Sequence, residues 1–145
     1  LRPYLIYGPH QDLNRILPII ISACIKKEKF DCSDGKQYRD FLFIDDFVRL
    51  ILKLLNERKI LNGQIFNVGF GKPIKIKDVI NSIVEKIKGG NPNFGAIRLR
   101  KDEILKMYPS ILKIKKFTKW RPRIPFETGL KRTIFYYEKK LKNWF

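Results

Sequence analysis

Short runs of strand-forming residues alternate along this chain with stretches in which apolar residues recur every three or four positions. The apolar run at residues 41–44 is the clearest example, because it leads directly into a helix-forming stretch. Strands that alternate with helices favour α/β packing, in which helices cover a parallel sheet. The 145 residues suffice for one such domain with its own core. We therefore predict an α/β fold.

Five stretches have the apolar spacing of helices that bury one side. The residues predicted to be buried on them are Leu13, Ile16, Leu17, Ile20 and Cys24; Val48, Ile51, Leu52 and Leu55; Ile76, Val79, Ile80, Ile83, Val84 and Ile87; Ile111, Ile114 and Phe117; and Leu130, Ile134 and Tyr137. The first stretch covers residues 13–27, and its Pro18 should kink the helix or move its start to about Leu17. Asp45 or Asp46 is expected to cap the second helix.

The segments between these helices are predicted from their turn and strand residues. A strand at residues 1–7 ends at Gly8-Pro9, and a buried strand at residues 65–70 follows a turn at Asn62-Gly63. Gly89-Gly90 should stop the third helix, and residues 91–103 are predicted to be a loop followed by a short extended piece. Since a strand begins at the first residue, we expect the sequence to be the back half of a longer protein.

The chain is strongly basic, with 31 Lys and Arg against 14 Asp and Glu and a net charge of +17. A basic surface is typical of nucleic-acid binding, because phosphate counterions are released on contact. The lysines are scattered along the whole chain, however, and no recognisable nucleic-acid motif is present. The charge is therefore read as compositional, and nucleic acid is not the expected partner. Such a field would also attract a small anionic substrate.

Several classes of protein are disfavoured by the sequence. The longest apolar run, at residues 16–25, contains Pro18 and is too short for a membrane span, and no signal peptide is expected. Cys24 and Cys32 have neither metal-site nor disulfide-scaffold spacing, so a cytoplasmic protein without a bound metal is expected.

"GFGKP" at residues 69–73 lacks the third glycine of a dinucleotide loop and the Lys-Ser/Thr pair of a P-loop. No catalytic constellation is predicted.

Anion binding at loops beside strand ends is the chemistry that remains. Arg39 precedes the strand at residues 41–44, Arg100 lies in the extended piece, and Asn67 lies in a strand that ends in glycines. Two arginines from separate segments could hold a diphosphate, since planar guanidinium groups pair with phosphate oxygens in a bidentate way. The alternative for Arg39 is an ion pair with Asp40 or Asp45.

Four motifs in order cover nearly the whole chain: "LRPYLIYGPHQ", "SDGKQYRDFLFIDD", "GQIFNVGFGKPIKIKDVI" and "KWRPRIPFETGLKRTI". Together they resemble the C-terminal half of extended short-chain dehydrogenases/reductases, the NAD-dependent nucleotide-sugar epimerases, dehydratases and 4-ketoreductases. The resemblance implies the last strands of a Rossmann-type parallel sheet, in segments about 1–12 and 36–71, interleaved with a small mixed α/β substrate-binding domain. It also implies NAD or NADP, bound mainly by an absent N-terminal half that carries the catalytic Tyr-x-x-x-Lys pair. The full-length enzyme would be a homodimer.

The resemblance also implies site residues. Arg39 matches an arginine that contacts the nucleotide diphosphate, and Arg100, or else Arg98, matches the second one. The other residues with an implied substrate role are Asn67, Arg15, Gln37 and Cys32, of which Gln37 is more suited to shaping its loop. Pro3 and Tyr4 should lie near the nicotinamide, largely through backbone contacts. Tyr136 and Lys140 have the catalytic spacing but stand in the closing helix, so no catalytic role is assigned to them.

Two positions depart from the family pattern: Leu5 replaces an asparagine, and Lys119 replaces a glycine before Trp120. The predicted function is binding of a nucleotide-diphosphate sugar as part of an NAD(P)-dependent epimerase, dehydratase or reductase, with the fragment inactive by itself. Two alternatives stay open at this point. One is a stand-alone basic module that binds nucleic acid or another polyanion, and the other is an inactive truncated product.

Overall fold

The computed structural model describes residues 1–56 and 63–142. The helices are α1 (Ile16–Ile25), α2 (Ile44–Asn56), α3 (Ile76–Ile87), α4 (Leu112–Thr118) and α5 (Phe126–Lys142). The strands are β1 (Arg2–Pro3), β2 (Leu5–Tyr7), β3 (Lys29–Cys32), β4 (Tyr38–Arg39), β5 (Phe41–Phe43), β6 (Asn67–Val68), β7 (Ile74–Lys75), β8 (Asn91–Phe94) and β9 (Lys106–Met107). The predicted α/β class is confirmed. Among the described helices, none combines the length and the apolar content that crossing a bilayer would need.

The extended segment at residues 2–7 has parallel partners on two strands. Its first part, β1, pairs with β6, and its second part, β2, pairs with β5 in the register Leu5↔Phe41 to Tyr7↔Phe43. Two further groups of strands lie outside this central set: β3 pairs with β8 in parallel, and β4 pairs with β7 and β9. Because β4 continues through Asp40 into β5, the central strands are linked directly to the strands that carry Arg39.

Both faces of β5 are buried, which explains its continuous apolar sequence. Phe41 and Phe43 face a core that includes residues of α1, α3 and α5, whereas Leu42 faces a second core. Successive side chains of a strand point to opposite faces, so this three-residue strand joins the two cores. The second core consists of Leu42, Leu50, Phe66, Val68, Ile111, Ile114 and Trp120.

Helix α1 is shorter than predicted at both ends. It begins at Ile16, so Pro18 is its third residue and lies in the first turn, where a missing N–H costs no intrahelical hydrogen bond. Leu13 and Ile16, which were expected to be buried, are instead 48% and 38% exposed. The prediction that Pro18 shifts the start towards Leu17 was therefore nearly correct.

The side of α2 that is buried differs from the prediction. Val48, Leu52 and Leu55 are 47%, 57% and 56% exposed, whereas Leu50 is fully buried. The helix also begins at Ile44, so Asp46 lies within the first turn and is not its cap. The Asp46 carboxylate instead accepts hydrogen bonds from the backbone N–H groups of residues 123 and 124, at 2.8 and 2.9 Å. This anchor turns the Asp46 and Leu50 side of the helix inward.

Two further segments differ locally from the prediction. Residues 91–94, expected to be loop, form strand β8, and the residue that caps the C-terminal end of α3 in the left-handed conformation is Lys88 (φ 56°). The predicted strand at residues 65–70 is paired only at Asn67–Val68. Asn62 of the predicted turn lies outside the described residues. The stripe on α5 was predicted correctly, since Leu130, Ile134 and Tyr137 are all buried.

Candidate functional site

Arg39 lies at the point where β4 leads into the buried strand β5. Its Nη1 donates hydrogen bonds to the carbonyl oxygens of Tyr38 and Ile104, at 2.9 and 2.8 Å. Its Nη2 forms an ion pair with Glu103, and only 13% of the Arg39 side chain is exposed. The guanidinium group is therefore held in place at the end of β4, the central strand of the sheet formed with β7 and β9.

Neither carboxylate considered as a partner for Arg39 in the sequence is the one that binds it. Asp40 accepts hydrogen bonds from backbone N–H groups of residues 70–72, and Asp45 lies 3.3 Å from Arg132. The actual partner, Glu103, comes from a segment 64 residues further along the chain. Strand β9 attaches that segment to β4, through the pairs Tyr38↔Lys106 and Arg39↔Met107.

Arg100 lies on the same segment as Glu103. The backbone N–H of Glu103 donates to the carbonyl oxygen of Arg100, at 3.1 Å, which closes a turn over residues 100–103. Arg100 and Arg98 are both exposed. The segment with Arg98 and Arg100 is thus attached through β9 to β4, which carries Arg39. The Arg100 side chain is exposed to solvent.

The loop at residues 69–72 is organised around Asp40. The Asp40 carboxylate is fully buried and accepts from the N–H groups of Phe70 and Gly71, both at 2.6 Å, and of Lys72 at 3.1 Å. Gly71 has a φ of 83°, a conformation that favours glycine and turns successive N–H groups towards one acceptor. Burial raises the pKa of Asp40, and the three N–H groups partly offset that rise. The "GFGKP" loop therefore binds an anion, but the anion is a side chain of this protein.

Two clefts meet at Tyr4 and Leu5, between β1 and β2. The larger has a volume of about 660 Å³ and extends along β2 to the start of α1. It is lined by Tyr4, Leu5, Ile6, Tyr7, His10, Gln11, Asp12, Asn14, Arg15, Ile16, Leu17 and Phe41. The smaller, of about 280 Å³, is lined by Pro3, Tyr4, Leu5, Arg39, Asp40 and Met107. The two clefts share Tyr4 and Leu5 in their linings and are called the joined clefts below; Arg15 lines the larger one and Arg39 lines the smaller one.

The structure brings together four of the residues that the sequence assigned to a site. Arg15, Pro3, Tyr4 and Arg39 line the two joined clefts. The remaining predicted residues, Asn67, Gln37, Cys32 and Arg100, lie outside the lining of both clefts.

Three of these other residues have neighbours elsewhere in the fold. Asn67 pairs with Arg2 in the sheet, and Cys32 ends β3 opposite Phe94. The Gln37 side chain is bonded to the hydroxyl of Ser33, at 3.4 Å, and therefore shapes its own loop. Burial, together with Asp31, raises the pKa of the Cys32 thiol.

Sequence reasoning missed Glu103 and His10. No local pattern around Glu103 identifies Arg39 as its partner. His10 is the single histidine of the sequence and lines the larger cleft, where its Nδ1 lies 3.0 Å from the hydroxyl of Tyr136. The ammonium group of Lys140 lies 5.9 Å from the centre of the Tyr136 ring.

Tyr7 borders the larger cleft as a neutral hydrogen-bond donor. Its hydroxyl donates to the carbonyl oxygen of Phe126, at 2.9 Å. Burial raises the pKa of Tyr7 far above its usual range, with smaller contributions from Glu127 and Asp46. Within the described residues, no group of three or more His, Cys, Asp or Glu side chains is arranged to hold a metal ion.

Comparison with known proteins finds relatives in both sequence and fold. Residues 1–69 match the model of the NAD dependent epimerase/dehydratase family. CDP-abequose synthase from Salmonella muenchen is 30% identical over 130 residues, which are 89% of this chain and 44% of that protein. The UDP-glucuronic acid 4-epimerase of Bacillus cereus, solved with UDP-glucuronic acid and NAD, superimposes with a TM-score of 0.86 at 25% identity, covering 97% of this chain and 44% of that one. The resemblance to the NAD-dependent epimerase/dehydratase family is confirmed by these matches.

A further family relative is more similar over a shorter range. UDP-glucuronate 4-epimerase from Thermodesulfobacterium geofontis is 38% identical over 102 residues, which are 70% of this chain and 30% of that protein. The chain therefore spans less than half the length of the relatives it matches. The match of residues 1–69 to the epimerase/dehydratase model includes β1, β2, β5 and the strand with Arg39.

Proposed function

We propose that this chain is the substrate-binding part of an NAD(P)-dependent nucleotide-sugar epimerase, dehydratase or 4-ketoreductase. On this proposal it binds the nucleotide diphosphate of the sugar substrate. The observation that carries the proposal is the pair of joined clefts, of which the smaller is lined by Arg39 and the larger by Arg15. The relatives support it, because those named above act on CDP- or UDP-sugars by their names.

Arg39 would bind the diphosphate. A guanidinium group forms charge-assisted hydrogen bonds to phosphate oxygens, and these are stronger than bonds between neutral groups. Arg39 is already oriented by two backbone carbonyl groups, so little side-chain entropy would be lost when phosphate binds. The net charge of +17 would raise the local concentration of an anionic substrate. Arg15 would contact the nucleotide in the larger cleft, and Arg100 would contact it from the turn over residues 100–103.

The residues at the junction of the clefts fit a nicotinamide cofactor beside the sugar. Pro3 and Tyr4 share the smaller cleft with Arg39, so a ring next to them and a phosphate at Arg39 would be neighbours. The nicotinamide of NAD(P), when bound, would accept a hydride from the sugar C4 or donate one to it. The contribution of this chain would be to hold the sugar carbon near that ring, since positioning removes much of the entropic barrier.

No catalytic residue is assigned within the chain. Tyr136 is engaged by His10, and the proposal places the acid–base tyrosine and lysine of the enzyme in a part of the protein beyond this sequence. The chain by itself is therefore expected to bind nucleotide-sugars and not to convert them. The full-length enzyme is proposed to be a cytoplasmic homodimer.

The net charge also favours a second candidate, a module that binds nucleic acid. Calorimetric titrations with UDP and with a random-sequence oligonucleotide, each at 50 and 200 mM salt, separate the two candidates. The proposed function predicts saturable binding of UDP and weak binding of the oligonucleotide. Tight oligonucleotide binding with a steep salt dependence, and no response to UDP, would favour the second candidate. A chain with no cooperative thermal transition and no ligand would instead match an inactive truncated product.

A further inference from the structure

The guanidinium group of Arg39 has three acceptors that differ in charge. Two are the backbone carbonyl oxygens of Tyr38 and Ile104, which are neutral. The third is the carboxylate of Glu103, which cancels the positive charge of Arg39. Both side chains are largely shielded from water, with 13% of Arg39 and 23% of Glu103 exposed. Bulk solvent therefore screens this ion pair less than it would a pair on the open surface.

Glu103 is not needed to orient the guanidinium group of Arg39. The two carbonyl groups already occupy Nη1; one belongs to Tyr38 in β4, and the other to Ile104, two residues before β9. A further backbone bond, from the N–H of Tyr38 to the carbonyl oxygen of Leu105 at 2.6 Å, holds these segments together. The particular contribution of Glu103 is thus its negative charge.

A phosphate that reached Arg39 would lie close to this carboxylate. Arg39 forms part of the lining of the smaller cleft, and its Nη2 is already bonded to Glu103. A phosphate on the same guanidinium group would therefore face a like charge a few ångströms away, at a site with little screening. Binding would require Glu103 to leave Arg39 or to share it at a cost in free energy.

We propose that Glu103 neutralises Arg39 in the free protein and that the nucleotide diphosphate displaces it. This inference rests on the proposed function. Glu103 is then a specificity-determining residue that acts through Arg39. A lone phosphate gains too little from Arg39 to displace the carboxylate, whereas a nucleotide diphosphate adds contacts along the joined clefts. The carboxylate therefore selects nucleotide diphosphates against inorganic phosphate.

The position of Glu103 allows this exchange. It closes the turn over residues 100–103, in which Arg100 and its two successors are exposed. The strand pairing of β9 begins only at Lys106, so the turn can rearrange without breaking the β4–β9 pairs. Release of Glu103 would move the same turn that carries Arg100.

The test compares Glu103→Gln with Glu127→Gln. Both substitutions remove one negative charge from an ion pair, because Glu127 lies 2.5 Å from Lys86 and outside both clefts. Binding of UDP and of inorganic phosphate to the chain is measured by calorimetry between 50 and 300 mM salt. We expect Glu103→Gln to bind UDP about tenfold more tightly than the unsubstituted chain, as when one close like charge is removed. Its salt dependence should be steeper, and its preference for UDP over inorganic phosphate should fall. Glu127→Gln should change none of these.

A second comparison uses the background of Arg39→Gln. If Glu103 acts through Arg39, adding Glu103→Gln to that background gives no gain in affinity. The inference would be overturned if Glu103→Gln, with an unchanged thermal transition, bound UDP no more tightly than the unsubstituted chain. It would also be overturned if Glu103→Gln raised the UDP affinity of the Arg39→Gln variant by the same factor. Such a result would leave the proposed function standing if the unsubstituted chain binds UDP. Absence of UDP binding by the unsubstituted chain and by Glu103→Gln would overturn both.

Discussion

The carboxylate of Asp40 accepts a hydrogen bond of 2.6 Å from the backbone N–H of Gly71. It also accepts from the N–H groups of Phe70 and Lys72, so one buried side chain fixes the whole loop at residues 70–72. Asp40 directly follows Arg39. The residue that organises the glycine loop and the residue proposed to bind phosphate are therefore neighbours in the chain, at the transition from β4 to β5.

Asp40→Ala should destabilise the protein by about 2–3 kcal/mol, because three backbone N–H groups lose their acceptor. Urea denaturation measures the change. Asp45→Ala is the control, since Asp45 and Arg132 form an ion pair in which more than half of each side chain is exposed. That substitution should change the free energy of unfolding by no more than about 0.5 kcal/mol. Equal effects of the two substitutions would contradict the role given to Asp40.

Leu50→Ala and Leu52→Ala should have very different effects on stability. Leu50 is fully buried in the second core, so its truncation should cost about 3 kcal/mol. Leu52 is 57% exposed, and its truncation should change stability by less than about 1 kcal/mol. Chemical denaturation of both variants checks which side of α2 is buried. A larger loss from Leu52→Ala would show that the opposite side is packed.

Gly129→Ala should destabilise the protein even though alanine is the better helix former. A Cβ at this position in α5 would lie 2.3 Å from the Tyr7 hydroxyl oxygen and 2.6 Å from Phe43 Cδ2. We expect a loss of about 2–3 kcal/mol from this overpacking, against a gain of about 1 kcal/mol from helix propensity. Thr128→Ala, at an exposed neighbouring position, is the control for propensity. A melting temperature of Gly129→Ala at or above that of the unsubstituted protein would disprove the close approach of α5 to β2 and β5.

Cys24 should make stability fall in alkaline solution. Burial raises the pKa of its thiol from 9.0 to about 11, so the folded state retains a proton that the unfolded state loses. The stabilising effect is complete below pH 9 and is lost as the pH rises through 11, a change of about 2–3 kcal/mol. Lysines titrate in the same range, so the comparison is with Cys24→Ala. Free energies of unfolding measured at intervals from pH 8 to 11 should fall more steeply for the unsubstituted protein, and parallel curves would refute the prediction.

The parts of the fold that the sequence predicts well are those set by local periodicity. Leu130, Ile134 and Tyr137 on α5 are all buried, because this helix has one clear apolar side. On α2 the spacing of the apolar residues predicted the wrong buried side. The orientation of this helix depends on the hydrogen bonds of Asp46 to residues 123 and 124, and no local sequence pattern encodes these long-range bonds. The start of α1 was predicted from Pro18 at about Leu17, and the helix begins at Ile16.

In the candidate site, too, the features set by local sequence were predicted, and those set by long-range contacts were not. Arg39 could be chosen from its motif, and Pro3, Tyr4 and Arg15 fall in the joined clefts as a set. Glu103 could not be identified as its partner, because their contact depends on β9 pairing with β4 across 64 residues of chain. Asp40 and Asp45 were the partners considered for Arg39 from the sequence, and in the fold each of them binds other groups.

The most direct test of the proposed function is the affinity for UDP of the unsubstituted chain, Arg39→Ala and Arg132→Ala, measured by calorimetry. Arg132 is the matched control, an arginine in an ion pair with Asp45 and outside the joined clefts. Loss of a charge-assisted hydrogen bond should weaken binding to Arg39→Ala by about 1.5–3 kcal/mol, and Arg132→Ala should bind like the unsubstituted chain. Unchanged affinity of a folded Arg39→Ala variant would contradict the assignment of Arg39 to the diphosphate.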